Sequence, residues 1–369
     1  MPKHSFLFFS AKLRLTHIYK TILVLLLFSA LLLSGKFIAI NITAWTGYTK
    51  KSEIKQQVHF INTRQGDAIL IRTANKTVLI DAATAESDVS SYLRSQGVDT
   101  IHVLMATHAH SDHIGGMSEI IDQFVVLEFV DPAFPHTGST YGKLLGRIDD
   151  LDIQYTVGQK GLVWELDRNA ILEVIHPICI EGLSVHDAGL VSRLRLGRIT
   201  FLLAADIERK AENILLEKPR MLRSHVLKVA NHGRATSSTT LFLQAVRPEI
   251  SVITTGSEAP DISPHPHTLA KLRATNTKIY ENRTYGHIII ETDGKDFEVI
   301  IHGKVHVMPV NLNAASLEEL MRIVHIGQGR AEQIINLRPL EAIDDLLQID
   351  GIGPRRLEDI KKQNKAMID

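Results

Sequence analysis

Thr107-His108-Ala109-His110-Ser111-Asp112-His113-Ile114-Gly115-Gly116 follows the apolar run Val103–Ala106, and three imidazoles and a carboxylate fall within six positions of it. In extended backbone, residues two apart face the same way, so His108 and His110 can grip one ion while Asp112 and His113 face a second beside it. Nitrogen and oxygen donors without sulfur suit Zn²⁺, and also Mn²⁺ or Fe²⁺. Gly115 and Gly116 let the chain turn sharply into a following helix. Four ligand-type residues at this spacing form a specific pattern, far from the ordinary polar loop.

Further donors stand at the ends of apolar segments. Asp206 closes Leu202–Ala205, where a lone carboxylate needs a reason; the alternative is a helix cap before the segment from Ile207. His232 follows Leu227–Asn231 and precedes Gly233. The stretch His108–His113 resembles the HxHxDH motif of the metallo-β-lactamase superfamily. The resemblance implies an α/β protein with a four-layer αβ/βα sandwich over residues 57–304 and a one- or two-metal site between its sheets. It implies that Asp206 bridges two divalent ions, expected to be Zn²⁺ with Mn²⁺ as the alternative, and that His232 is the last ligand. His186 stands at the family's distance for the third histidine, and His176, before Pro177, is its rival. Ala205 departs from a family that more often has glycine there. The local pattern agrees with a mixed sheet layered with helices: Val58–Asn62, Ala68–Arg72 and Thr77–Ile80 read as strands separated by turns, and helical spacing appears at Ser87–Gln96 and Arg209–Leu216.

A narrower resemblance rests on Asn62–Asp67, Thr77–Asp81, Lys228–Gly233 with Thr236–Ser238, and Ser263–His267. These are similar to the extracytoplasmic hydrolase domain of ComEC-type DNA-uptake proteins. Arg64 stands where glycine is usual, Ala83 replaces a turn glycine, and Asn231 replaces the first of two adjacent histidines. Asp67 and Asp81 either support the ligands from behind or serve only their strand–turn junctions. His265 and His267 flank a proline, and one of them acts as general acid or phosphate grip unless both are merely solvated; His287 is a weaker candidate of the same kind. Two cations sharing Asp206 would hold hydroxide as nucleophile, with Asp112 also orienting the water.

The ends of the chain differ from its middle. Lys3, Lys12, Arg14 and Lys20 make residues 1–20 basic, and residues 21–42 are mostly apolar. This reads as a transmembrane anchor or a cleaved leader, followed by a linker over 43–56. Either reading puts the remainder outside the cytoplasm, tied to the membrane or secreted. The 369-residue chain has zero formal net charge, so a nucleic-acid partner has to be argued locally, and its one cysteine, Cys179, excludes an internal disulfide or a Cys-based zinc ribbon.

Residues 309–369 repeat helix, glycine-containing hairpin, helix. Ser316 and Glu319 have capping-box spacing at the first helix. The stretch resembles the tandem helix-hairpin-helix domain of ComEA-type DNA receptors. That implies sequence-independent binding of DNA phosphates through Gly327, Gly329 and Arg330 in one hairpin and Gly351, Gly353, Arg355 and Arg356 in the other, with Lys361 and Lys362 nearby. His325 stands where the first hairpin would have its first glycine. The alternative for this tail is a docking module for proteins. Three functions follow: a membrane-tethered DNA phosphodiesterase or nuclease of DNA uptake (competence), a metallo-hydrolase of another ester or a lactam, or a non-catalytic DNA receptor.

Overall fold

The computed structural model describes residues 55–256, 263–301, 304–306, 309–363 and 365–368. The membrane segment expected over residues 21–42 lies outside the described residues, as do residues 1–20 and nearly all of the linker. Among the described residues no helix is long and apolar enough to cross a membrane.

In chain order the strands before the tail are β1 (Gln56–Phe60), β2 (Ile69–Arg72), β3 (Thr77–Ile80), β4 (Thr100–Ile101), β5 (Val103–Met105), β6 (Val125–Val126), β7 (Glu128–Asp131), β8 (Gln154–Val157), β9 (Val163–Asp167), β10 (Ala170–His176), β11 (Val191–Leu196), β12 (Ile199–Leu203), β13 (Val226–Lys228), β14 (Ile250–Ile253), β15 (Lys278–Glu281), β16 (Ile288–Thr292), β17 (Phe297–Ile301) and β18 (Lys304–His306). One sheet has the order β18-β17-β16-β1-β2-β3-β5-β7-β8 and the other β15-β14-β13-β12-β11-β10-β9, with β4 and β6 forming a separate short pair.

The alternation along each strand builds the layers. In β12, Ile199, Phe201 and Leu203 enter the core between the sheets, whereas Leu202 and the following Ala204 pack outward against Ala211, Phe242 and Leu243 of covering helices. In β2 and β3, Ile69, Ile71, Val78 and Ile80 face the inter-sheet core, and Leu70 and Leu79 face Leu93, Met117 and Ile120 on the other side. A period of two with both faces apolar requires cover on both sides, which gives helix, sheet, sheet, helix. This is the four-layer sandwich expected from the motif.

Strands β3, β5, β7 and β8 run parallel, as do β12, β13, β14 and β15. Loops leaving the carboxyl ends of parallel strands are where such sheets place ligand-binding residues. Asp81 follows β3, His108 follows β5, Asp206 follows β12 and His232 follows β13.

The tail has its own core, including Leu320, Ile323, Ala331, Ile334, Leu346 and Ile360. Its helices are Leu317–Leu320, Gln328–Leu337 and Pro354–Gln363, and Ile343–Gln348 forms a tighter 3₁₀ turn. Ser316 and Glu319 form the expected capping box. Buried Arg322 clamps the tail onto the sandwich: Nε lies 2.8 Å from Asp296 Oδ1, Nη1 pairs with Glu249, and the guanidinium sits 4.6 Å from the Phe297 ring centre. Lys365, also buried, pairs with Asp296.

His59 in β1 has no exposed surface; Tyr92 Oη donates to its Nδ1 at 2.8 Å, and Nε2 donates to Gln57 Oε1 at 3.2 Å. Burial, then the charge of Arg72, pushes its imidazole down to about 3. The unfolded chain protonates this histidine below its ordinary value near 6.5, so between the two values the unfolded state binds the extra proton. Stability therefore falls as pH drops, by about 1.4 kcal/mol per unit from this group. Urea unfolding of metal-free protein at pH 7 and pH 5 is expected to show a loss smaller by about 2 kcal/mol in His59→Gln than in the unaltered chain. Equal losses would refute the assignment.

Candidate metal centre

The loop after β5 carries His108 and His110, the short helix Ser111–Ile114 that follows it carries Asp112 and His113, and the seat of both is built by backbone. Asp67 N donates to Asp112 O at 3.1 Å, and Ala82 N donates to His113 O at 2.7 Å. Gly66 has φ +88°, and a Cβ on it would overlap the carbonyl of Asp112. Gly66→Ala therefore has to push the ligand loop off its seat, at a cost of about 1–3 kcal/mol in stability. Its metal affinity, measured by chelator competition, is expected to fall roughly 10- to 100-fold; a change under twofold would mean that the loop does not depend on this turn.

Donor atoms from distant segments converge. His108, His110 and His186 form one group, His108, His113 and Asp206 a second, and Asp112, His113 and His232 a third, each with its donor atoms within 4.8 Å of one another. His108 Nε2 and His110 Nδ1 are 3.0 Å apart. Asp206 Oδ2 lies 3.2 Å from His113 Nε2 and 3.1 Å from His232 Nε2. Asp112 Oδ2 is 3.6 Å from His232 Nε2. Asp206 thus shares groups with ligand-type residues on either side.

The far side of each ring is fixed. His113 Nδ1 donates to Asp81 Oδ2 at 2.8 Å, and His232 Nδ1 donates to the Thr254 carbonyl at 2.6 Å. Thr107 Oγ1 donates to Asp81 Oδ2 at 2.8 Å, so it accepts from His108 Nδ1 at 3.1 Å. Each tie turns the opposite nitrogen inward, where it can offer a lone pair to a cation that displaces any proton there, the arrangement of metal-ligating histidines. Buried His232 Nε2 has no hydrogen-bond partner. These observations fit a divalent cation held by nitrogen and carboxylate oxygen.

Electrostatics agree with the donor set. Burial pushes the His113 and His232 imidazoles down, but Asp206 with Asp81 for the first, and Asp206 with Asp67 for the second, hold both well above the usual value. A cation entering between them has to displace those protons. Burial pushes Asp206 up, but His232, His113 and Lys228 outweigh it and keep the carboxylate ionised.

Of the two rival third histidines, His186 is in the ring cluster, 4.6 Å from His110 between centroids, whereas His176 turns away and its Nε2 bonds the Asp187 carbonyl at 2.6 Å. Asp81 sits behind His113 and Thr107. Asp67 is more than a support: it pairs with Lys228, lies 3.3 Å from His232 Nδ1, and shares a possible metal group with Asp206 and His232. His265 and His267 lie outside these groups; His265 N donates to Gly233 O at 2.9 Å, beside His232, and its Nδ1 caps the helix Pro266–Arg273. His287 belongs to none of them either; its Nδ1 accepts from Asn62 N at 3.0 Å. Asn231, at the position of the missing histidine, donates to Glu208 Oε1 at 3.1 Å, and Glu208 lies 3.8 Å from His186 Nδ1.

Sequence reasoning missed Lys228 as a site residue. It is buried, pairs with Asp67, lies 3.3 Å from Asp206 Oδ1 and donates to the Ala205 carbonyl at 2.8 Å. The available signal was a lysine inside the apolar segment Val226–Ala230, where an unpaired charge is untenable.

In the tail, Gly327, Gly329, Gly351, Gly353 and Arg355 are exposed. Arg330 is engaged internally, donating to the His325 carbonyl at 2.8 Å and the Asp350 carbonyl at 2.9 Å, and so ties one hairpin to the other. Arg356 donates to the Gly351 carbonyl at 2.5 Å, Lys361 pairs with Asp344 and Lys362 with Glu358. His325 takes the left-handed conformation, φ +65°, at the position of the absent glycine, and its Nε2 lies 2.8 Å from Asp359.

Residues 61–256 match the family model described as the metallo-beta-lactamase superfamily, and residues 305–364 match a helix-hairpin-helix motif. The resemblances to the metallo-β-lactamase superfamily and to a helix-hairpin-helix module are thereby borne out. The chain is 24% identical over 239 residues to recombination protein 2 of Haemophilus influenzae, covering 63% of this chain and 28% of the relative. It is 22% identical over 252 residues to ComE operon protein 3 of Bacillus subtilis, covering 63% and 32%. A deoxyribonuclease of Thioalkalivibrio is 48% identical over 60 residues, 16% of this chain and 17% of the relative. The chain spans about a third or less of these relatives' lengths.

Proposed function

The chain belongs to the metallo-beta-lactamase superfamily, and from that premise we propose that it is a metal-dependent phosphodiesterase that cleaves DNA outside the cytoplasm during DNA uptake. The carrying observation is the union, in one compact unit from Glu53 to Asp369, of a histidine–aspartate cage with a helix-hairpin-helix module. The relatives, a recombination protein, a ComE operon protein and a deoxyribonuclease, support the same reading. Tethering to the cytoplasmic membrane rests on the apolar composition of residues 21–42.

Two divalent cations, Zn²⁺ or Mn²⁺, would be held by His108, His110 and His186 on one side and Asp112, His113 and His232 on the other, with Asp206 between them. Such ions supply an activated water and neutralise charge building on phosphate oxygens. The chain's own contribution is placement. Asp81, Thr107 and the Thr254 carbonyl fix the imidazole planes, and Lys228 fixes Asp206. Asp112, partly exposed and held ionised by His232 and His113 against the effect of burial, accepts a hydrogen bond from the attacking water. His265, anchored beside His232, carries a proton to the leaving oxygen. In the tail the exposed glycine turns present backbone N–H groups to DNA phosphates without reading sequence.

The test compares the chain from Lys50 onward with its Asp112→Ala form on single- and double-stranded DNA in Mn²⁺ or Zn²⁺. Cleavage by the first and not the second is expected. Hydrolysis of bis(p-nitrophenyl) phosphate with no action on DNA would redirect the reading to another ester, and equal DNA cleavage by both forms would refute the site.

A further inference from the structure

A cleft of about 740 Å³ runs along the seam between sandwich and tail, with Arg223, Arg247, Lys278, Ser316 and Arg322 in its walls. A second, of about 440 Å³, shares Arg223 and Arg247 and adds Arg193 and Arg220. Arg220, Arg223, Arg247 and Lys278 are exposed, and among the described residues the guanidinium groups of Arg223 and Arg247 have no ion pair or hydrogen bond.

The cleft is backed by cationic atoms that are out of water and lack acceptors. Arg322 is 6% exposed, and its Nη2 has no partner; Arg193 Nε in the second cleft is likewise buried and unpaired. A buried donor left unpaired costs about 1–3 kcal/mol, a cost that an arriving anionic oxygen removes. Acidic residues are also present, but they are committed: Glu249 accepts from Arg322, and the Glu319 carboxylate closes the capping box on Ser316 N. Glu318 lines the second cleft from its exposed edge. Burial, then the charges of Arg322 and Arg223, pushes the His225 imidazole beside the cleft down to about 4, with Glu319 and Glu318 acting in the opposite sense.

The position is informative. Strands β12 to β15 are parallel; Thr200, His225, Glu249 and Lys278 stand at their starting ends, and Asp206 and His232 follow the finishing ends of β12 and β13. The cleft is therefore at the end of the sheet opposite the metal cage.

We propose that this seam is a second nucleic-acid site, which holds the phosphodiester backbone of a strand away from the point of cleavage. Forked guanidinium donors suit phosphate oxygens, and cations spread over two adjoining clefts suit a repeating rather than a single charge. The inference rests on the reading of DNA as substrate.

The experiment uses the chain from Lys50 onward and its Arg223→Ala/Arg247→Ala form, both binding a labelled single-stranded oligonucleotide in EDTA from 50 to 300 mM salt. The double variant is expected to bind roughly 10-fold or more weakly at 0.15 M salt, and its dependence of log affinity on log salt should lose about 1.4 units of slope. Its melting temperature and its hydrolysis of bis(p-nitrophenyl) phosphate should stay unchanged, since both residues are exposed and remote from the cage. An unchanged slope with oligonucleotide binding intact would overturn the seam and leave the DNA reading standing. If the unaltered chain neither binds nor cleaves DNA, the DNA reading itself fails, and the seam with it. Calorimetry with inorganic pyrophosphate supplies the last arm: binding lost in the double variant, with DNA binding untouched, would assign the cleft to a small phosphorylated molecule and overturn the nucleic-acid path.

Discussion

Asp206→Asn is expected to abolish hydrolysis, with a fall of roughly 10³-fold or more in kcat/KM, about 4 kcal/mol of transition-state stabilisation. The substitution keeps the shape of the side chain and removes the charge on which His113, His232 and Lys228 converge. No other described carboxylate belongs both to a group with His108 and to a group with His232. Metal analysis should show bound divalent ion falling to one equivalent or less, and the far-ultraviolet circular dichroism should not change. Full metal content with undiminished hydrolysis would remove Asp206 from the centre and leave the cage without its shared ligand.

Lys228→Met is expected to destabilise the metal-free protein by about 3–5 kcal/mol, because it leaves Asp67 and Asp206 charged, buried and without their ammonium partner. The carboxylates hold that ammonium above its ordinary value against the effect of burial, so it is positively charged at neutral pH. The size of the loss should depend on metal. Divalent ions compensate the same carboxylates, and saturating Zn²⁺ should therefore shrink the difference between variant and unaltered chain in a urea titration. A loss below 1 kcal/mol in EDTA, or one that Zn²⁺ does not change, would show that Lys228 is not coupled to the cage.

The ligand loop and the ends of β12 and β13 were legible in the sequence because period-two apolar runs mark where strands stop, and a polar donor at such a stop stands out. His186 and His176 were harder to separate, since both lie in poorly patterned segments between strands. Only the three-dimensional path shows one ring among His108 and His110 and the other turned to a backbone carbonyl. The supports behind the rings were less visible still. The Thr254 carbonyl is a backbone atom with no signature in residue type, and Thr107 was only the first letter of a motif. Lys228 was readable in principle by the reasoning applied to Asp206, a charge in an apolar strand. The tail was legible as two hairpins, yet its contact with the sandwich was not: Arg322 reads as a surface residue of an amphipathic helix until Asp296 and Glu249 come within reach.

That contact bears on how the proposed polymeric substrate would meet the chain. A module on a flexible leash would sweep a sphere and raise the local concentration of DNA in all directions alike. Arg322 and Lys365 instead bolt this one in place, so on the proposed reading a strand would take a heading from the hairpins before it neared the cage, and reversing its 5′-to-3′ sense would present a different encounter.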